Sequence, residues 1–153
     1  MIQLHDKQFV PFISANEIAE AIDKMAAEVT ADLGTEIPVF IGVLNGSFMV
    51  VSDFMKAYNG ACELSFIKMA SYEGTSSTEE VKQLIGLNQD LTGRTVVIIE
   101  DIVDTGNTLV EIKALFEARN IKELKIATLF YKPEAYKKAV SYTHLTLPTN
   151  REV

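Results

Sequence analysis

Apolar residues recur along this chain with two different periods, and the places where one gives way to the other outline its elements. After Ser14, the residues Ile18, Ala19, Ile22, Met25, Ala26 and Val29 return at helical spacing. Ser14 followed three residues later by Glu17 has the form of a capping box, and Gly34 supplies a stop, so a helix is predicted between them. "IPVFIGVL" (37–44) is then almost wholly apolar, as expected of a strand covered on both faces. "FMVVSDFMKAY" (48–58) reads as a helix ending near Gly60, and "CELSFIKMASY" (62–72) as a strand. "EGTSSTEE" (73–80) reads as a mobile polar loop, and "VKQLIG" (81–86) as a strand entering the turn "NQDLTG" (88–93). "RTVVIIED" (94–101) is a buried strand, and "TGNTLVEIKALFEARN" (105–120) a helix with Leu109, Ile112, Leu115 and Phe116 on one face. "LKIATLFYK" (124–132) is a further buried strand. No internal repeat and no linker-like composition interrupts the chain before residue 140.

Strands alternating with helices predict an α/β fold with a mostly parallel, twisted sheet flanked by helices and joined by right-handed crossovers. Ligands of such sheets gather beyond the carboxyl ends of the strands. Glu100 and Asp101 fall at one such end, and Asn45 and Gly46 follow another. The pattern therefore predicts one cleft that both segments border.

Composition narrows the class. A chain of 153 residues with 48% hydrophobic content can bury the core of one domain, and 23% charged residues argue against wholesale disorder. The formal net charge of −7 opposes broad binding to nucleic acid or to an anionic membrane, both of which call for basic faces. Cys62 is alone, so no intrachain disulfide and no cysteine cluster for zinc can form. The start "MIQLHDKQFVPF" lacks the apolar core of a signal peptide, and Asn45, Gly46, Ser47 and Asp53 break the most apolar window, Val39 to Met55. The expectation is a soluble, reduced, cytoplasmic protein.

The stretch "VVIIEDIVDTGNTL" (96–109) carries the chemistry. It runs from branched apolar residues into Glu100 and Asp101, then places Asp104 before Thr105, Gly106, Asn107 and Thr108. Amides at a helix start, two threonine hydroxyls and a compact glycine make a ready anion site. No Walker loop and no G-x-G-x-x-G is present. Asp104 taken alone reads as a helix N-cap. Three neighbouring carboxylates repel one another, so their clustering points to a cation or a polyhydroxylated ligand that they engage together.

This stretch closely resembles the phosphoribosyl-diphosphate signature of the type I purine phosphoribosyltransferases: apolar residues, two acids, two apolar residues, then Asp-Thr-Gly. "VLNGSF" resembles that family's diphosphate loop, "SYEGTSSTEEV" its flexible loop beginning Ser-Tyr, and "ATLFYKP" its purine-contacting lysine strand. The segments stand in family order across residues 8 to 139 and match the hypoxanthine (or hypoxanthine-guanine) branch best.

The resemblance implies transfer of 5-phosphoribose from phosphoribosyl diphosphate to N9 of a 6-oxopurine, with Mg²⁺ as cofactor and a homo-oligomer, dimer or tetramer, as the assembly. It implies Asp104 as the general base, Thr105, Gly106, Asn107 and Thr108 around the 5-phosphate, and Glu100 and Asp101 on the ribose hydroxyls and the metal. Leu44, Asn45 and Gly46 would hold diphosphate through a strained or cis peptide, Ser71 and Tyr72 would begin the flexible loop, and Lys132 would meet the purine. Asn45 departs from the lysine that the family loop often carries. Residues 1–140 are expected to form the domain; 141–153, "SYTHLTLPTNREV", are expected to be a non-family tail, disordered or artefactual, resembling translated sequencing-adapter read-through. The base-binding segment expected in that place would then be missing and activity low. A second reading is a non-catalytic regulator of the same fold that binds nucleotide or phosphoribosyl diphosphate; Asp104, Lys132 and the acidic charge favour the enzyme.

Overall fold

Apolar residues lining both faces of β3 (Val39–Leu44) decide where it lies, since only the middle of a sheet covered on both sides can hide them. In the computed structural model, which describes residues 1–69, 83–85, 87–103, 106–132 and 142–146, β3 runs between β4 (Glu63–Met69) and β6 (Thr95–Val103), parallel to both. β7 (Glu123–Tyr131) follows parallel to β6. The six-stranded sheet is completed by β5 (Gln83–Ile85), antiparallel to β4, and β8 (Tyr142–Thr146), parallel to β7, in the order β5-β4-β3-β6-β7-β8. This is the mostly parallel sheet flanked by helices that the alternating pattern predicts.

The chain leaves β3 toward β4 on one side and returns to β6 on the other, so the order of strands reverses between β3 and β6. Such a reversal opens a crevice at the carboxyl ends of the two strands. It is the position predicted for the cleft.

Two apolar layers hold the sheet. On one face, α1 (Ala15–Leu33) buries Ala21, Ile22, Met25, Ala26, Val29 and Leu33, and α2 (Phe48–Ala57) buries Val50, Val51 and Phe54. Phe40 meets Phe54 and Tyr58 edge to face, with ring centres 5.1 and 4.8 Å apart. On the other face, α3 (Asn107–Glu117) packs Leu109, Ile112 and Phe116 against Val96, Ile98 and Ile126. Each large side chain so buried contributes about 1.5–3 kcal/mol before the entropy of ordering it is counted.

Where the polar pattern changes, local chemistry accounts for it. Ser14 caps α1 as the capping box predicts: the Glu17 amide donates to Ser14 Oγ at 3.2 Å, and the Ser14 amide donates back to the Glu17 carboxylate at 2.7 Å. At the amino ends of the strands, Glu36 accepts from Thr95 Oγ1 at 2.6 Å and from Lys122, while Arg94 reaches the Ile37 carbonyl at 3.0 Å and pairs with Glu63 at 2.9 Å. Charges thus lace the end of the sheet opposite the cleft.

Two features lie outside the predicted pattern. Residues 1–12 hold a small hairpin, β1 (Ile2–Leu4) with β2 (Lys7–Phe9), whose side chains are exposed. Residues 141–153, expected to stand apart as a disordered tail, contribute β8 through Tyr142–Thr146; the free edge of β7 offers backbone groups that any extended segment can pair. No described helix is long and apolar enough to cross a membrane.

Candidate active site

Three segments meet at the carboxyl ends of β3 and β6 around a cleft of about 320 Å³. Leu44 and Gly46 border it from the end of β3, Glu100, Asp101, Ile102 and Val103 from β6, and Gly106, Thr108, Leu109 and Glu111 from the entry and first turns of α3. The single cleft anticipated from two strand ends is present.

The turn after β3 is built for close approach. The Leu44–Asn45 peptide is cis, which matches the strained or cis peptide expected of a diphosphate loop. Gly46 faces the acid pair so closely that a Cβ there would lie 2.9 Å from Asp101 Oδ2 and 3.0 Å from Oδ1. Ser47 is buried and its hydroxyl donates to the Val43 carbonyl at 2.8 Å, tying the turn to the strand as α2 begins. Asn45 itself does not line the cleft, although its neighbours on both sides do.

The acids differ in environment. Glu100 is 7% exposed, and burial followed by the negative charge of Asp101 pushes its carboxyl up to about 8; an amide hydrogen bond from Asp101 opposes the rise without cancelling it. Asp101, half-buried, faces Gly46. Desolvated paired carboxylates favour a partner that brings positive charge. Two carboxylates with room for ligand oxygens also suit Mg²⁺, which takes oxygen donors and retains part of its water. No group of three or more His, Cys, Asp or Glu residues is placed to hold a metal among the described residues, so the pair would share an ion with its ligand rather than cage it.

Gly106 precedes α3 at φ +79°, a conformation that glycine adopts freely. The first bond of the helix runs from the Val110 amide to the Gly106 carbonyl at 3.1 Å. The amides of Asn107, Thr108 and Leu109 therefore have no acceptor within the helix, and they start where the cleft lies. Lys132, buried at the end of β7, is outside the lining, but its amide donates to the carbonyl of Val103, which is in it. Asp104 and Thr105, and Ser71 and Tyr72, lie outside the described residues.

Residue patterns missed part of the wall. Ile102, Val103, Met69 and Leu109 give the cleft an apolar side, and Glu111 adds an acid. Glu111 was accessible to reasoning, since it stands three residues after Thr108 and so on the same side of α3. Met69 was not, because its place depends on how β4 lies against β3.

This geometry defines an α/β protein with an acidic cleft at the switch point of its sheet. The family described as "Phosphoribosyl transferase domain" matches residues 14–149, and the chain belongs to that family. The hypoxanthine-guanine phosphoribosyltransferase of Streptococcus pyogenes is 40% identical over 122 residues, 79% of this chain and 68% of that protein. That of Streptococcus pneumoniae is 35% identical over 139 residues, 89% of this chain and 77% of that protein. Among solved structures, a hypoxanthine-guanine phosphoribosyltransferase from Bacillus anthracis superposes with a TM-score of 0.81 at 32% identity, covering 90% of this chain and 81% of that one. The hypoxanthine phosphoribosyl transferase of Trypanosoma cruzi superposes at 0.82 with 26% identity, covering 97% and 83%.

Proposed function

We propose that this protein transfers 5-phosphoribose from phosphoribosyl diphosphate to N9 of hypoxanthine or guanine, releasing diphosphate, a reaction of purine salvage. The observation that carries the reading is the meeting, in one cleft, of the Leu44–Gly46 turn, the Glu100–Asp101 pair and the open amides of α3. The names of its relatives supply the base.

Cleaving the bond from C1 to diphosphate builds positive charge on the ribose ring, as in glycoside hydrolysis. In this reading Glu100 and Asp101 hold the ribose hydroxyls, and the amides from Thr105 to Thr108 hold the 5-phosphate. Leu44, Asn45 and Gly46 hold the diphosphate, and the segment that begins at Ser71 and Tyr72 excludes water while the ribose carries charge. Asp104 takes the proton at N7 of the purine, and Lys132 donates to O6. Mg²⁺ bound at Glu100 and Asp101 would offset the charge of the departing diphosphate. Residues 1–140 carry every residue of this scheme. The family resemblance extends it to a cytoplasmic homo-oligomer, dimer or tetramer.

Asp104→Asn tests the chemistry, because the amide keeps the shape and the cap but takes no proton. With radiolabelled hypoxanthine, phosphoribosyl diphosphate and Mg²⁺, the variant is expected to form labelled IMP about 10²- to 10⁴-fold more slowly than the parent, with phosphoribosyl diphosphate affinity nearly unchanged. A loss confined to affinity would reduce Asp104 to a helix cap.

A further inference from the structure

The cleft is to receive a polyanion, yet the described residues of its lining are short of positive charge. Glu100, Asp101 and Glu111 line it, and no Lys or Arg does among the described residues. At the turn assigned to diphosphate, Asn45 is neutral. Among the described lining residues, backbone amides and one shared ion are left to balance the diphosphate.

Lys68 stands beside this deficit. In the parallel ladder of β3 and β4, Leu44 is opposite Lys68, just as Gly42 is opposite Phe66 two residues earlier. Residues directly paired in a sheet point to the same face, so Lys68 leaves the sheet on the side of Leu44, which lines the cleft. The Gly42–Phe66 pair verifies that sharing, since a Cβ on Gly42 would meet the Phe66 ring at 2.7 Å. Adjacent strands lie about 4.8 Å apart, a gap that the four-carbon stem of lysine spans. Lys68 is half-buried and forms no ion pair or side-chain hydrogen bond among the described residues. Its strand is also irregular here: the pairing of β4 with β5 shifts register between Lys68 and Met69, and Met69 lines the cleft. Such shifts re-aim side chains and are frequent beside active sites.

We propose that Lys68 supplies the positive charge for diphosphate, reaching from β4 across the end of β3 to the oxygens held over the Leu44–Gly46 turn. The inference rests on the assignment of that turn to diphosphate. It predicts that charge can be moved between the two strands: a lysine at position 45 should do the work of one at position 68.

Calorimetry with two ligands separates this inference from the reading beneath it. Mg²⁺-diphosphate and ribose 5-phosphate are titrated into the parent protein, Lys68→Met, and the double variant Lys68→Met/Asn45→Lys, each first shown by thermal melting to be folded. Lys68→Met is expected to weaken Mg²⁺-diphosphate about tenfold and to flatten its dependence on salt, as loss of one charge-assisted contact requires. Ribose 5-phosphate should bind as before, and the double variant should recover most of the diphosphate affinity. Equal binding of diphosphate by the parent and Lys68→Met, or an equal loss for both ligands, would overturn the role of Lys68 and leave the site assignment standing. Failure of the parent to bind either ligand would overturn the assignment and Lys68 with it.

Discussion

At Glu100 the chain buries a carboxyl group beside a second acid, and both burial and Asp101 favour its protonated form, up to about 8 from an ordinary 4.5. Because the folded value lies above the unfolded one, the contribution of Glu100 to stability is complete below 4.5 and is lost as pH rises through about 8. In buffer free of metal and ligand, Glu100→Gln should melt with the parent below that range. Above it the variant should be more stable, by a few kcal/mol at most. Melting curves across the pH range check this, and a gap that does not widen with pH would contradict the burial described for Glu100. The three acids of 96–109 were conspicuous in the sequence because a buried strand has no use for them. That Glu100 would be desolvated was not legible, since its cover comes from elements distant in the chain. The role of Lys68 was hidden for the same reason: only the register of β3 with β4 places it beside Leu44.

Elements were legible in proportion to their length and period. The helix from Ala15 announces itself by its capping box and by six recurring apolar residues, and all but Ile18 and Ala19 of that set are buried in α1. The buried strands β3, β6 and β7 follow from unbroken apolar runs. The three-residue strands of the hairpin are too short to show any period, and β8 is recognised only by its partner β7. Gly42 illustrates a constraint that pattern alone cannot reveal. It reads as one more residue of an apolar strand, but α2 and β4 close over it, and a Cβ would meet Val51 at 2.9 Å as well as the Phe66 ring. Gly42→Ala should therefore cost about 1–3 kcal/mol, read as a lower urea midpoint with the slope unchanged. An unchanged midpoint would mean that Phe66 yields freely and that the contact of β4 with α2 is looser than described.

Across the whole molecule, the position of the cleft follows from the order of the strands more than from any single residue. The reversal between β3 and β6 brings together segments more than fifty residues apart, the 44–46 turn and the acids at 100 and 101. The opposite end of the sheet is closed by paired charges, Glu36 with Lys122 and Arg94 with Glu63. The alternation of strands and helices foretold the switch point, whereas the apolar wall of Ile102, Met69 and Leu109 emerged only from packing. The central claim is that this crevice binds phosphoribosyl diphosphate with Mg²⁺ through Glu100 and Asp101. Calorimetry with Mg²⁺ and phosphoribosyl diphosphate on the parent protein and on Glu100→Ala/Asp101→Ala tests it most directly. The account predicts binding by the parent that depends on Mg²⁺ and weakens at least tenfold in the double variant; equal affinity in the two proteins would contradict it.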